Sequence, residues 1–97
     1  MDQHHYSRQK LWQAIDSLVG DGKLRNRLGY ALAHLALLTP EDFPEELRPR
    51  FEKLMKQLND SRVDFAYKHC EVNVRAPRSG RIASEILDIY VTLRGGL

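Results

Sequence analysis

Cysteine is nearly absent from this sequence, because Cys70 is the one cysteine among 97 residues. A single thiol cannot form a disulfide within the chain, so small folds held together by disulfides are excluded. The start of the chain, from Met1 to His5, is polar and no apolar run follows it, so we expect no secretory signal. Both observations favour the reducing environment of the cytoplasm.

Long apolar runs are also missing. The most apolar stretch, residues 30–38, has about half of the roughly 20 residues that a membrane-spanning helix needs. It also contains His34, a polar side chain that a lipid environment disfavours. We therefore expect no contact with a membrane.

Charge of one sign is scarce as well. The 15 basic and 13 acidic residues leave a net charge of +2, which is too small to indicate a nucleic-acid partner by itself. Hydrophobic residues make up 42% and charged residues 29%, close to globular averages, so neither a disordered nor a fibrous class is indicated. The length suits one hydrophobic core, and we expect a single domain over residues 1–97.

Apolar side chains recur at helical spacing in four segments, which predicts four helices. Residues 1–6 lack this periodicity and are predicted to be flexible. Pro49 is expected to kink the third helix. The predicted helices run from Ser7 to the glycines Gly20 and Gly22, from about Asp21 to Leu38, from Pro44 through Leu58, and from the cap residue Ser79 to Gly95.

The predicted core lies between the second and third helices, in the stretch from Lys23 to Leu58. Burying one Leu or Phe side chain gives roughly 1.5 to 3 kcal/mol, so the facing apolar stripes of these helices should dominate folding. Between them, Thr39 and Asp42 are spaced as in a capping box. We therefore expect an all-α fold, a compact bundle of four main helices with an irregular segment before the last. The leucines expected at its centre include Leu28, Leu35 and Leu54.

Two structures compete for residues 61–78. Alternate residues from Val63 to Tyr67 are apolar, as in a strand, and the segment from Cys70 to Val74 could pair with them. A two-stranded hairpin is only marginally stable on its own, because it has no core to bury. We therefore expect a short helical turn followed by a loop.

Two aromatic residues near the N terminus, Tyr6 and Trp12, are the candidate partner-binding residues. Trp12 lies at the edge of the apolar stripe of the first helix, and tryptophan often dominates the energy of protein interfaces. The alternative is that Trp12 packs against a neighbouring helix. Since no set of residues converges on a catalytic arrangement, we expect a non-catalytic protein-interaction or regulatory module. Its partner is another protein, which could be a second copy of this chain.

Nucleic-acid binding is the alternative function. Arg75, Arg78 and Arg81 form the one local basic cluster, and no acidic residue occurs between Val72 and Ser84. A loop entering a helix could use these guanidinium groups to contact phosphates, whereas a solvated loop explains them equally well.

A helical ribonuclease of the HEPN type, a class that includes toxins, is a second form of this alternative. Arg27 and His34 have the arginine-to-histidine spacing of such enzymes and share one helix face, and Arg62 and His69 have the same spacing. On the order of one such match is expected by chance in a chain of this composition. Apart from Arg27 and His34 in this alternative, we predict no catalytic residue.

Metals and cofactors are not expected. The histidines and the cysteine lack the spacing of zinc ligands, and the adjacent His69 and Cys70 side chains should diverge rather than form a nucleophilic pair. Acidic residues cluster between Glu41 and Glu46, where they complement the positive ends of helices, so they are not predicted to bind a metal. We predict no metal site and no small-molecule cofactor.

The leucine spacing through Leu35 and Leu38, the turn TPEDFPEEL that begins at Thr39, and the closing segment Glu85–Tyr90 resemble a group of small bacterial helical proteins. The resemblance implies a helical fold and an origin in a bacterium or a phage. It implies no activity, and no catalytic residue is transferred from it.

Overall fold

The computed structural model describes residues 4–65 and 69–95. This part of the chain is mostly helical, with a small two-stranded sheet and two short 3₁₀ turns between the second and third helices. Four helices are present in this part of the chain, which confirms the helical part of the prediction. The small sheet departs from the predicted all-α class, and the bundle arrangement stays a prediction. In order, the elements are α1 (His5–Leu18), α2 (Leu24–Leu35), the 3₁₀ turns Pro40–Asp42 and Glu45–Leu47, α3 (Arg48–Asp60), β1 (Arg62–Asp64), β2 (Cys70–Val72) and α4 (Arg78–Leu93).

The first helix begins earlier than predicted. It starts at His5, so Tyr6 is helical, while residues 1–3 of the predicted flexible segment lie outside the described residues. The Ser7 hydroxyl does not cap the helix, because it donates to the carbonyl oxygen of His4 at 3.0 Å.

The second helix is shorter than predicted at both ends. It starts at Leu24, after Lys23, and it ends at Leu35 instead of Leu38. The amide of Ala36 still bonds four residues back, whereas those of Leu37 and Leu38 bond three residues back, at 3.3 and 3.0 Å. This tighter pattern is typical of a helix terminus and leads into the turn.

Two other helix starts also differ from the prediction. Pro49 is the second residue of α3, where its missing N–H breaks no helical hydrogen bond, so it marks a helix start rather than a kink. Ser79 is not the cap of α4, since the helix begins at Arg78 after Pro77. The Ser79 side chain is instead buried in the first turn.

The capping box in the turn between α2 and α3 is confirmed. The backbone N–H of Thr39 donates to Oδ2 of Asp42 at 2.8 Å. This bond satisfies a backbone donor that the start of a helical turn would otherwise leave unpaired. It also holds the turn in the geometry that delivers Phe43 to the core, where the Phe43 and Phe51 rings lie 4.4 Å apart between centroids.

The core combines side chains from all four helices, from the turn and from β2. Leu28, Leu35 and Leu54 are buried as predicted. The buried apolar residues are Leu11, Ala14, Leu28, Ala31, Leu32, Leu35, Leu38, Phe43, Leu47, Phe51, Leu54, Leu58, Val72, Ile82, Ile86 and Ile89.

The segment before α4 forms a β-hairpin, so the predicted helical turn is wrong. The strands β1 and β2 pair antiparallel, with Arg62 opposite Val72. A further bond joins Phe65 N–H to the His69 carbonyl at 2.7 Å, and residues 66–68 lie outside the described residues. The hairpin is not isolated, because β2 packs on α2 and Val72 is fully buried. This packing removes the objection that a lone hairpin would be only marginally stable.

Gly29 makes that packing possible. A Cβ atom at this position would lie 2.1 Å from the carbonyl oxygen of Cys70, so no side chain fits between α2 and β2. The Cys70 thiol in turn donates to the carbonyl of Gly29 at 3.5 Å. The element that approaches α2 closely at Gly29 is therefore the strand β2.

Candidate functional site

A wide, open groove of about 630 Å³ lies between one end of α1 and the last turns of α4. It is lined by Arg8, Trp12, Tyr90 and Arg94. The Trp12 and Tyr90 rings lie 6.0 Å apart between centroids, at an interplanar angle of 38°. The guanidinium carbon of Arg94 lies 5.7 Å from the centre of the Tyr90 ring, a cation–π distance.

Trp12 remains open to solvent in this arrangement. Its side chain contacts Tyr90, as the packing alternative anticipated, yet 56% of Trp12 is exposed. An indole with one face packed is held in place, and its other face is available for contact. Such an aromatic side chain loses little conformational freedom when a partner covers it.

A second, apolar groove of about 220 Å³ lies further along the same two helices. It is lined by Ile15, Leu18, Val19, Ala83, Ser84 and Leu87. Val19 is 75% exposed and Leu87 is 48% exposed, so this groove is shallow and its apolar walls face solvent.

The two grooves share one side of the molecule. Trp12 and Ile15 on α1 recur at helical spacing with Val19, the residue that caps its C terminus. Leu87 and Tyr90 on α4 do the same with Arg94, which caps that helix. We call the combined area the α1–α4 surface and define it by Trp12, Val19, Leu87, Tyr90 and Arg94. It is an apolar strip with guanidinium groups at one end.

Tyr6, the other predicted partner-binding residue, does not line either groove. It is six residues before Trp12, which corresponds to about 240° of helix rotation and so to a different face. Its ring is exposed and lies 5.6 Å from the ammonium nitrogen of Lys10.

Sequence reasoning missed most of the α1–α4 surface. Neither Val19 nor Leu87 was singled out as a contact residue. One signal was present, since Leu87 falls outside the stripe formed by Ile82, Ile86 and Ile89 and so cannot share their buried face.

The predicted basic cluster is divided by the start of α4. Arg78 and Arg81 lie in its first turns and line a third groove, between α3 and α4. Arg75 is exposed in the preceding loop and is not among the residues that line this groove. The other cations of the groove, Arg50 and Lys53, come from α3, which sequence proximity could not reveal.

Arg27, proposed for the ribonuclease alternative, holds the connection between α1 and α2. Its Nη1 donates to the carbonyl of Leu18 at 2.6 Å, and its Nε donates to the carbonyl of Gly22 at 3.1 Å. His34 is half-buried seven residues later on the same helix. Arg27 thus has a structural role between α1 and α2, while the catalytic pair of Arg27 and His34 remains a prediction.

Arg27→Ala is expected to lower the free energy of unfolding by about 1.5 kcal/mol, because charge-assisted bonds to carbonyls at a helix terminus are lost. Urea unfolding followed by circular dichroism measures this change. His34→Ala, by contrast, removes the proposed catalytic imidazole without breaking those bonds. If Arg27→Ala leaves stability unchanged, the structural assignment is wrong.

The other arginine–histidine match, Arg62 and His69, lies on the hairpin. Arg62 donates to Oδ1 of Asp64 at 2.6 Å, and this hydrogen bond, with the nearby negative charge, raises the pKa of Arg62. The His69 ring packs near Tyr30 and Phe65, at centroid distances of 6.0 and 5.6 Å. Arg62 is therefore paired with Asp64, a residue of the same strand.

His69 and Cys70 face different neighbours. Nε2 of His69 lies 3.6 Å from a carboxylate oxygen of Glu71, which also pairs with Arg25 at 3.0 Å. The thiol of Cys70 instead points to Gly29 on α2. The predicted divergence of these adjacent side chains is confirmed.

Over residues 4–65 and 69–95, no group of three or more His, Cys, Asp or Glu side chains is arranged to hold a metal ion. In the same part of the chain, no helix has the length and apolar character needed to cross a membrane. The described residues form a mostly helical fold with a small sheet and surface grooves along α4. No protein-family model matches the chain, and neither a curated protein nor a solved structure matches it.

Proposed function

We propose that this chain is a non-catalytic protein-interaction module of the bacterial cytoplasm and that the α1–α4 surface contacts its partner. The observation that carries the proposal is Trp12, which packs against Tyr90 with 56% of its side chain still exposed. Tryptophan, tyrosine and arginine are the residues most enriched among those that dominate interface energies. All three types meet at this groove.

The apolar area beside Trp12 supports the proposal. Val19 and Leu87 are exposed next to it and extend the strip along both helices. Contiguous apolar patches on a monomer commonly mark interaction sites, because covering them removes apolar area from water. A partner that covers the whole strip gains binding free energy from the apolar area of both grooves.

The chemistry of the strip indicates the kind of partner. Its apolar length suits an amphipathic helix laid along the seam between α1 and α4, with apolar residues at helical spacing. The guanidinium group of Arg94 lies at one end of the strip, beside the Tyr90 ring. An acidic residue at the corresponding end of the partner helix would complement this charge.

Trp12→Ala is the direct test. We expect affinity for the partner to fall by at least about 30-fold, which corresponds to roughly 2 kcal/mol for a central interface residue. The thermal midpoint should change little, because more than half of Trp12 is exposed. Affinity capture from the native cell, followed by calorimetric titration of the captured partner, measures the effect. Sedimentation velocity of the purified chain tests whether the partner is a second copy.

Tyr30→Ala is the matched control. Tyr30 is an aromatic residue on α2 with 51% exposure, and it lies outside the α1–α4 surface. The Tyr30→Ala variant should bind the partner with the same affinity as the unaltered chain. Equal capture by Trp12→Ala and the unaltered chain, or an equal loss with Tyr30→Ala, contradicts the proposal.

A further inference from the structure

The groove between α3 and α4 brings together four cationic side chains, from Arg50, Lys53, Arg78 and Arg81. Its volume is about 320 Å³, and buried Leu54 lies beneath it. Two of the cations come from each helix, so the groove exists only in the folded protein.

Three of these four cations are not neutralised within the described residues. Glu85 is the one carboxylate among the lining residues, and it forms an ion pair with Arg50, whose Nε lies 3.1 Å from Oε1. Four cations and one carboxylate leave three positive charges. In residues 4–65 and 69–95, the side chains of Lys53, Arg78 and Arg81 have no hydrogen bond or ion pair.

Other arginines of the same protein are engaged. Arg25 pairs with Glu71 at 3.0 Å, and Arg62 pairs with Asp64 at 2.6 Å. Arg27 is bonded to backbone carbonyls. The groove therefore differs from the surroundings of these three arginines, because it holds several cations without partners. Like charges held close together repel, and an anion that enters the groove relieves this repulsion.

We propose that this groove binds the sugar–phosphate backbone of a nucleic acid. A phosphodiester chain presents a row of negative charges, which matches a groove with cations on both of its walls. Among residues 4–65 and 69–95, no aromatic side chain lines the groove, so stacking of bases on aromatic rings does not contribute and binding should depend little on sequence. The site shares no residue with the α1–α4 surface, so the two proposals can fail independently.

The binding should be strongly salt-dependent. When three cations contact three phosphates of a single strand, counterions are released from the strand. The slope of log K against the logarithm of the salt concentration is then about −2. Raising the salt from about 50 to about 200 mM should then weaken binding roughly 20-fold. Fluorescence anisotropy with a labelled oligouridylate of about 20 nucleotides, and with a DNA duplex of similar length, measures the constants and the slope.

The test variant replaces Lys53, Arg78 and Arg81 with glutamine in the full chain. Its affinity for the oligonucleotides should fall at least about 20-fold at the lower salt concentration, and the salt slope should approach zero. All three side chains are exposed, so the fold should be retained, and thermal unfolding checks this. A companion variant with Arg78→Lys and Arg81→Lys keeps the charges and should keep the binding.

The matched control carries Lys23→Gln, Lys56→Gln and Arg62→Gln, which lower the net charge by the same amount at exposed positions outside the groove. It should bind almost as the unaltered chain does. Equal losses in the two triple variants would mean that bulk charge alone causes binding and would overturn the proposal. The absence of binding by the unaltered chain to either oligonucleotide at the lower salt, or binding only to a phosphoserine peptide, would overturn it as well.

Discussion

Phe43→Ala is expected to lower the free energy of unfolding by about 3 to 5 kcal/mol. Phe43 belongs to a turn, yet its side chain has 0% exposure. Its ring packs against Phe51 with 4.4 Å between centroids, and the neighbouring backbone is fixed by the bond between Thr39 and Asp42. A cavity there cannot collapse easily, so the loss should approach the upper part of the range for aromatic truncations.

Urea unfolding monitored by circular dichroism gives this free energy. Domains of this size are commonly stable by about 5 to 15 kcal/mol, so the substitution should remove a large share of the total stability. Phe65→Ala is the matched control, because Phe65 is 50% exposed on the hairpin. The Phe65→Ala substitution should lower the free energy of unfolding by less than about 1 kcal/mol. Similar losses in both variants would show that the turn is not part of the core.

The helical core could be predicted because its signal is local and redundant. Leu28, Leu35 and Leu54 lie on stripes that repeat every three or four residues, so an error at one position changes little. The capping box of Thr39 and Asp42 is also local, since both partners lie within one turn. Helix ends were less certain, because their exact position depends on which backbone groups find partners elsewhere.

The hairpin could not be predicted because its stability comes from contacts that are distant in the chain. The alternation from Val63 onward was visible, but a hairpin needs a surface on which to pack. That surface is α2 at Gly29, and no sequence pattern states which element approaches a helical glycine.

The candidate sites depend on tertiary contacts in the same way. Trp12 was found because tryptophan is rare and lay beside an apolar stripe. Its neighbour Tyr90 is on the last helix, and the two meet only after α1 and α4 pack together. Arg78 and Arg81 were found as a local cluster, whereas their counterparts on α3 required the structure.

Gly29→Ala should displace the hairpin from α2. The added Cβ would lie 2.1 Å from the oxygen and 2.9 Å from the carbon of the Cys70 carbonyl. These are backbone atoms, so they cannot rotate away as a flexible side chain could. Alanine gains about 1 kcal/mol of helix propensity, but forcing an atom into a packed contact typically costs about 1 to 3 kcal/mol. Because this contact is so short, we expect a net loss of about 2 kcal/mol.

Unfolding measurements give the size of this loss in the free energy of unfolding. The reactivity of Cys70 shows whether β2 is displaced. The Cys70 thiol donates to the Gly29 carbonyl, so displacement of β2 should speed the reaction of this thiol with a thiol reagent.

Gly80→Ala is the matched control, since Gly80 is also helical but a Cβ there meets nothing within 4 Å. It should stabilise the protein by about 0.4 to 1 kcal/mol. Opposite signs for the same chemical change would show that close approach of the strand, rather than helix propensity, requires glycine at position 29. A stabilising Gly29→Ala would mean that β2 does not lie against α2.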